Sequence, residues 1–341
     1  MYQTSARTKE ISIHRLDWMD ALRGLSLLAM FVYHLIWDLA YFGLITRQIP
    51  LSPGFKLFGH LIATSFLVLV GMSLVLAHQK HWHWPAYWRR LAWLILSSAL
   101  ISLVTYILFP DSFIFFGILH CIALVSLLAV PVLRLPLPLV WLLALLIMVL
   151  PGLAAAPHFD QPLLWWTGLG LDQPASNDWR PLFPWGGFTL LGIALMRQAQ
   201  TRDLLSQLAQ WRAKSGFSRL LVWGGRQSLV IYLVHQPIFL GLVFLAAQGL
   251  GISPPQMGNN LEMEARPFMN SCQNQCVSAG APVPVCQRLC ACVVDELRSS
   301  GLWREALTRP LGAMEQERAQ AISRQCSRMD NSGQTDQNPP R

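Results

Sequence analysis

The chain has 341 residues, of which 53% are apolar and only 13% charged, about half the charged share usual in soluble domains. That composition excludes an ordinary soluble globular protein and leaves a membrane protein. The net charge of +8 is carried by the chain up to about residue 250; it reads as membrane topology, and no nucleic-acid partner is expected.

Apolar residues fall into blocks at roughly 21–45, 57–77, 91–109, 117–133, 136–150, 184–196 and 228–250. Most approach the roughly 20 residues that cross a bilayer as a helix, and 184–196 must borrow flanking residues to do so. The expectation is an all-α, polytopic bundle of about seven spans over residues 1–252, followed by a small Cys-rich helical module over 253–341. The first block follows a polar, basic stretch, runs too long for a signal peptide and lacks a small-residue cleavage site, so it is expected to stay as an anchor.

The first helix carries an unusual polar stripe. At the angular step of an α-helix, Asp20, Arg23, His34 and Asp38 fall within a sector about 60° wide. An ionisable group in the bilayer costs about 2.5–3.5 kcal/mol on insertion scales and usually faces a bundle interior or a water-filled path. One such residue is ordinarily a satisfied hydrogen-bonding group; four on one stripe point to function. His34 and Asp38, one turn apart, make a candidate catalytic pair in which imidazole is the base or acyl carrier and carboxylate holds its tautomer.

Further along, His60 and Thr64 share a face of the second span, and His120 sits near one end of the fourth beside Cys121, an apolar packing residue. The loop "WWTGLGLDQPASNDWRPLFPWGG" supplies Asp178, Arg180 and Trp185, a mixture of acid, arginine and aromatic that suits a polar ligand such as a sugar. In the last span Ser228, Tyr232 and His235 share a face ahead of Pro237. His60, His120, Asp178, Arg180, Trp185 and His235 are the candidate substrate-binding residues. No metal-ligand cluster appears in the membrane part.

Beyond residue 253 the apolar blocks stop, and Cys272, Cys276, Cys286, Cys290, Cys292 and Cys326 follow. Cys272 with Cys276, and Cys286 with Cys290, are spaced i, i+4, so each pair lies along one helix face and can staple two antiparallel helices. Disulfides in an oxidising compartment are the expected chemistry, with zinc the rival and the pairing open.

Lys and Arg counts set the orientation. One set of segments holds Arg7, Lys9, Arg15 and Arg23, then Lys80, Arg89 and Arg90, then Arg134, then Arg197, Arg202, Arg212, Lys214, Arg219 and Arg226; the opposite loops hold Arg47, Lys56 and Arg180. The positive-inside rule then puts the N-terminus in the cytoplasm and, with an odd span count, the cysteine-rich tail outside.

Four stretches, "RLDWMDALRGLSLLAMFVYHLIWDLAYFG", "GILHCIALVSLL", "RPLFPWGGFTLLGIAL" and "GGRQSLVIYLVHQPI", together resemble the bacterial members of the heparan-alpha-glucosaminide N-acetyltransferase catalytic-domain family. The resemblance covers about residues 13–245 and leaves out the tail. It implies an integral acyltransferase of the bacterial inner membrane that takes acetyl, or another acyl group, from cytosolic acetyl-CoA and passes it to a sugar amine or hydroxyl on the periplasmic side. Membrane lipid and a carbohydrate acceptor are the implied partners, with a homodimer as the candidate assembly. Arg23 and Arg226, at cytoplasmic helix ends, are the candidate CoA-phosphate ligands. A polar-solute or proton-coupled transporter or flippase, and an anchor displaying the Cys-rich tail, are the competing readings.

Overall fold

The computed structural model describes residues 16–46, 48–78, 83–202, 204–251, 261–308 and 311–334. Arg7, Lys9, Arg15, Arg47 and Lys80 of the charge count, and the expected boundary at 252/253, lie outside these residues. The chain separates into two compact units, 1–254 and 255–341. Among the described residues all regular structure is helical.

The first unit contains α1 (Asp17–Tyr41), α2 (Gln48–Leu51), α3 (Pro53–Ala77), α4 (Trp84–Leu108), α5 (Ile118–Val132), α6 (Leu137–Ala154), α7 (Leu182–Thr201), α8 (Leu204–Leu208), α9 (Gly216–Arg226) and α10 (Ser228–Gly249). Each expected apolar block falls on one of these helices. Only α1, α3, α4, α6 and α10, however, are both long and apolar enough to cross a membrane, so the expected count of about seven spans is not confirmed. At 15 residues α5 reaches about 22 Å, short of a hydrocarbon core of about 30 Å. For α7, which is long enough at 20 residues, the reason is composition. Trp185, Thr189, Ile193, Ala194 and Met196 are all buried, and a helix wrapped by α3, α5 and α6 can keep Arg197, Gln198 and Gln200 in its last turns without meeting lipid. By contrast, Trp93, Leu96, Leu100 and Ile107 of α4, and Leu142, Leu145 and Leu153 of α6, are exposed, as the lipid-facing surface of an integral membrane protein must be.

Where lipid is as apolar as the side chains, helices associate by close packing of small residues. Two reciprocal glycine pairs do this. Gly71 of α3 lies against the Thr189 carbonyl of α7 while Gly192 of α7 lies against the Val68 carbonyl of α3. In the same way Gly24 of α1 abuts the Leu221 carbonyl of α9, and Gly225 of α9 abuts the Asp20 carbonyl of α1. This register makes α9 antiparallel to α1. After Gln227 the chain reverses, and α10 returns parallel to α1, with Ile231 and Tyr232 near Leu27 and Met30 and, further along, Val243 and Ala247 near Phe42.

The second unit is built from α11 (Leu261–Ser278), α12 (Val283–Ser299), α13 (Trp303–Thr308) and α14 (Ala313–Gln334). Disulfides Cys272–Cys290 and Cys276–Cys286 cross-link α11 to α12, and Cys292–Cys326 joins α12 to α14. The expectation of disulfides holds, and the nested pairing follows from the hairpin: in antiparallel helices the earlier cysteine of the Cys272/Cys276 pair faces the later of the Cys286/Cys290 pair. Val293, Val294, Leu297, Leu302 and Trp303 form the small core, with Phe268 edge-on to Trp303 at 5.4 Å. Cys121, the one free cysteine among the described residues, is buried in α5.

Candidate functional site

The polar stripe of α1 divides into two separate sites. At the helix start, Arg23 donates to the Asp20 carboxylate at 2.7 Å and to Ser73 of α3. Arg226, delivered by the Gly24–Gly225 contact, reaches Asp17 at 2.9 Å and Asp20 at 3.4 Å. Asp20 is 1% exposed; a carboxylate so deep is tolerable because two guanidiniums meet it. Both arginines expected to bind CoA phosphates are therefore also structural partners, although the Arg226 side chain keeps 43% of its surface open.

The second site lies between α1 and α10. His34 and His235 sit edge-to-face with ring centroids 4.9 Å apart. Phe31 stacks on His235 at 5.5 Å, and Phe239 closes on it edge-on at 6.0 Å. The expected His34–Asp38 hydrogen bond is absent among the described residues. Asp38 Oδ1 instead accepts from Gln236 Nε2 at 2.9 Å. His235 Nδ1 lies 2.7 Å from the Tyr232 carbonyl. Asp38 and His235 are buried, at 4% and 6% exposure, yet Asp38 Oδ2, His235 Nε2 and Gln236 Oε1 have no hydrogen-bond partner. All three are acceptors, on neighbouring residues, in a place where an unmet acceptor costs about 1–3 kcal/mol. Gln236 was not visible as a site residue from the sequence; the signal it offered was its place next to His235 in "VHQP".

A third group gathers where the loop before α7 folds back on the α4–α5 connection. Asn177 and Arg180 donate backbone N–H groups to the carbonyls of Ser112 and Phe116 at 2.8 and 3.0 Å, so the loop is pinned and not free-hanging. Asp178 Oδ2 accepts the Ile118 N–H at 2.8 Å and so caps α5. Its other oxygen lies 3.6 Å from Arg180 Nε. The Arg180 guanidinium covers the Trp185 ring at 4.8 Å, and His60 of α3 meets the same indole edge-on at 5.4 Å. Thus His60 joins Asp178, Arg180 and Trp185 in one group. His120 is differently employed: its Nδ1 accepts the Gly117 N–H at 3.2 Å, which leaves Nε2–H to face Ser102 Oγ at 3.1 Å. Both nitrogens are bonded and the residue closes the start of α5. Tyr232 packs against the core that contains Trp185 and lies 5.8 Å from the His235 ring, linking the loop cluster to the histidine pair. Among the described residues, no group of His, Cys, Asp and Glu is placed to hold a metal ion.

Comparison with curated proteins and with solved structures gives no significant match. A family model described as heparan-alpha-glucosaminide N-acetyltransferase, catalytic, matches residues 15–237, well over half of the chain. The matched region opens two residues before the Asp17–Asp20–Arg23 cluster and closes one residue beyond Gln236, so it takes in all three groups except Phe239 and excludes the disulfide-bonded unit. The chain belongs to the heparan-alpha-glucosaminide N-acetyltransferase catalytic family.

Proposed function

We propose that this protein is an integral membrane acyltransferase that moves an acetyl or similar acyl group from a cytosolic CoA thioester to an amine or hydroxyl of a sugar on the opposite side. The observation that carries this reading is the buried α1–α10 cluster: two imidazoles in contact, beside a carboxylate and a carboxamide, inside a family of acetyltransferases. Neutral imidazole suits the task because it can take the proton of an attacking amine or hydroxyl. Asp38, held by Gln236, supplies the negative potential that favours a transient imidazolium nearby.

The remaining groups divide by end. Arg226 presents an open guanidinium face at the start of α1, where the positive-inside rule places the cytosol, and suits a phosphate-bearing donor. Arg23 supports it through the shared Asp20 carboxylate. At the other end Trp185, under Arg180 and beside His60 and Asp178, offers an aromatic face ringed by polar groups, which suits a pyranose ring and its hydroxyls. We place the N-terminus in the cytoplasm and the disulfide-bonded unit in the periplasm, since three disulfides persist in an oxidising compartment.

The test is direct. Purified protein in detergent, incubated with radiolabelled acetyl-CoA and a panel of amino sugars and neutral sugars, should release labelled, acetylated sugar. Passage of unmodified sugar across a vesicle membrane, with no label transferred, would support a transporter instead.

A further inference from the structure

The acyltransferase reading leaves open which imidazole handles the proton. We infer that the base is His235 through Nε2, with His34 its movable neighbour. This inference rests on the proposed acyl transfer.

The choice follows from tautomer and burial. A backbone carbonyl can only accept, so the 2.7 Å contact between His235 Nδ1 and the Tyr232 carbonyl fixes the proton on Nδ1. Nε2 then carries the lone pair. That atom is buried and has no partner, whereas His120 has both nitrogens bonded. The imidazole plane of His235 is fixed as well, by Phe31 on its face and Phe239 at its edge. A nitrogen base that is unprotonated, shielded from water and held in orientation has the properties a general base requires.

His34 has the complementary properties. It is only half-buried, no hydrogen bond holds it among the described residues, and its ring lies against His235. With no such bond to break, it can turn about χ1. The third element is Asp38 with Gln236, whose unmet oxygens accept from the donor groups of an incoming amine or hydroxyl.

In the reaction the acceptor nitrogen or oxygen attacks the thioester carbonyl carbon, and the new C–N or C–O bond forms as the C–S bond breaks. His235 Nε2 takes the acceptor's proton. The resulting imidazolium, still bonded through Nδ1–H to the Tyr232 carbonyl, gives that proton to the departing thiolate. Products are acylated sugar and free thiol, and the imidazole ends neutral.

The experiment uses the full-length chain, wild type and two variants. His235→Asn keeps a side-chain N–H near the position of Nδ1, so the bond to Tyr232 can persist, but removes Nε2. His34→Gln removes the second imidazole. Transfer from radiolabelled acetyl-CoA should fall about 10²–10⁴-fold in His235→Asn and less than about tenfold in His34→Gln, with both variants eluting as wild type in size-exclusion chromatography. In parallel, ¹⁵N-histidine NMR of wild type, assigned by the signals lost in His235→Asn, should show a proton-bearing Nδ1 and a bare Nε2. If the proton resides on Nε2, or if His235→Asn stays within about threefold of an active wild type, the inference is overturned and the acyltransferase reading survives. A wild type that transfers acyl to no acceptor while its NMR shows the bare Nε2 overturns the acyltransferase reading and this role with it.

Discussion

Alanine at Gly225 puts a methyl group on the Asp20 carbonyl oxygen, well inside van der Waals contact. Both atoms in collision belong to, or are fixed to, backbone, so no side chain can turn aside and α9 must leave α1 by on the order of 1 Å to restore an ordinary contact of about 3.5 Å. That displacement stretches the Arg226–Asp20 pair, already at 3.4 Å, beyond the 4 Å range of an ion pair, and weakens the 2.9 Å pair with Asp17. Overpacking of this kind costs about 1–3 kcal/mol. The half-exposed Arg226 pairs add at most about 1 kcal/mol after screening, because Asp20 retains Arg23. Gly225→Ala should therefore lose about 1–4 kcal/mol. The adjacent Gly224 provides the control: the nearest atom to its added methyl is Ile231 Cδ1 at 3.9 Å, and alanine in a helix interior gains up to about 1 kcal/mol over glycine. Thermal unfolding of the two variants in detergent, followed by the loss of the monodisperse peak, should move in opposite directions. Equal stability of the two would refute the packing of α9 along α1.

Thiol titration of the unfolded, unreduced protein should find one free thiol, that of Cys121, and the double replacement Cys292→Ser with Cys326→Ser should destabilise the second unit by about 2–4 kcal/mol in chemical denaturation. Asp178→Ala removes the cap of α5 and should cost about 1–2 kcal/mol, whereas Asp178→Asn, which keeps an acceptor for the Ile118 N–H, should cost less than half as much in the same assay. Arg180→Gln ends the cation–π contact with Trp185, on the order of 1 kcal/mol, and should raise KM for the sugar acceptor roughly fivefold with kcat nearly unchanged; an unaltered KM would remove the loop cluster from acceptor binding.

Hydropathy made the helices of the first unit legible because lipid contact demands long apolar runs, and α1, α3, α4, α6 and α10 each carry one. It leaves the count of about seven spans unconfirmed, because α5 is short and α7, packed against α3, α5 and α6, carries polar residues in its last turns. The cysteine spacing announced stapled helices, while the pairing waited on the antiparallel register of α11 and α12. Within the site, the stripe on α1 was visible as a period of 3.6, but its division was not: Asp38 finds Gln236 and Asp17 finds Arg226 from about 200 positions away in the chain. A one-turn spacing suggested that Asp38 serves His34; the α10 side chains compete for the same carboxylate and prevail. The short helix α9, in a polar connecting segment, gave no hydropathic signal of its long contact with α1.

The central claim is that acyl transfer joins the two sides of the membrane. Proteoliposomes holding an amino sugar inside, with radiolabelled acetyl-CoA added only outside, separate this from every alternative. Acetylated sugar should accumulate in the lumen at a rate that falls about 10²-fold or more with His235→Asn, while acetyl-CoA itself stays outside. Labelled sugar absent from the lumen of vesicles whose wild-type protein is folded and monodisperse would contradict it.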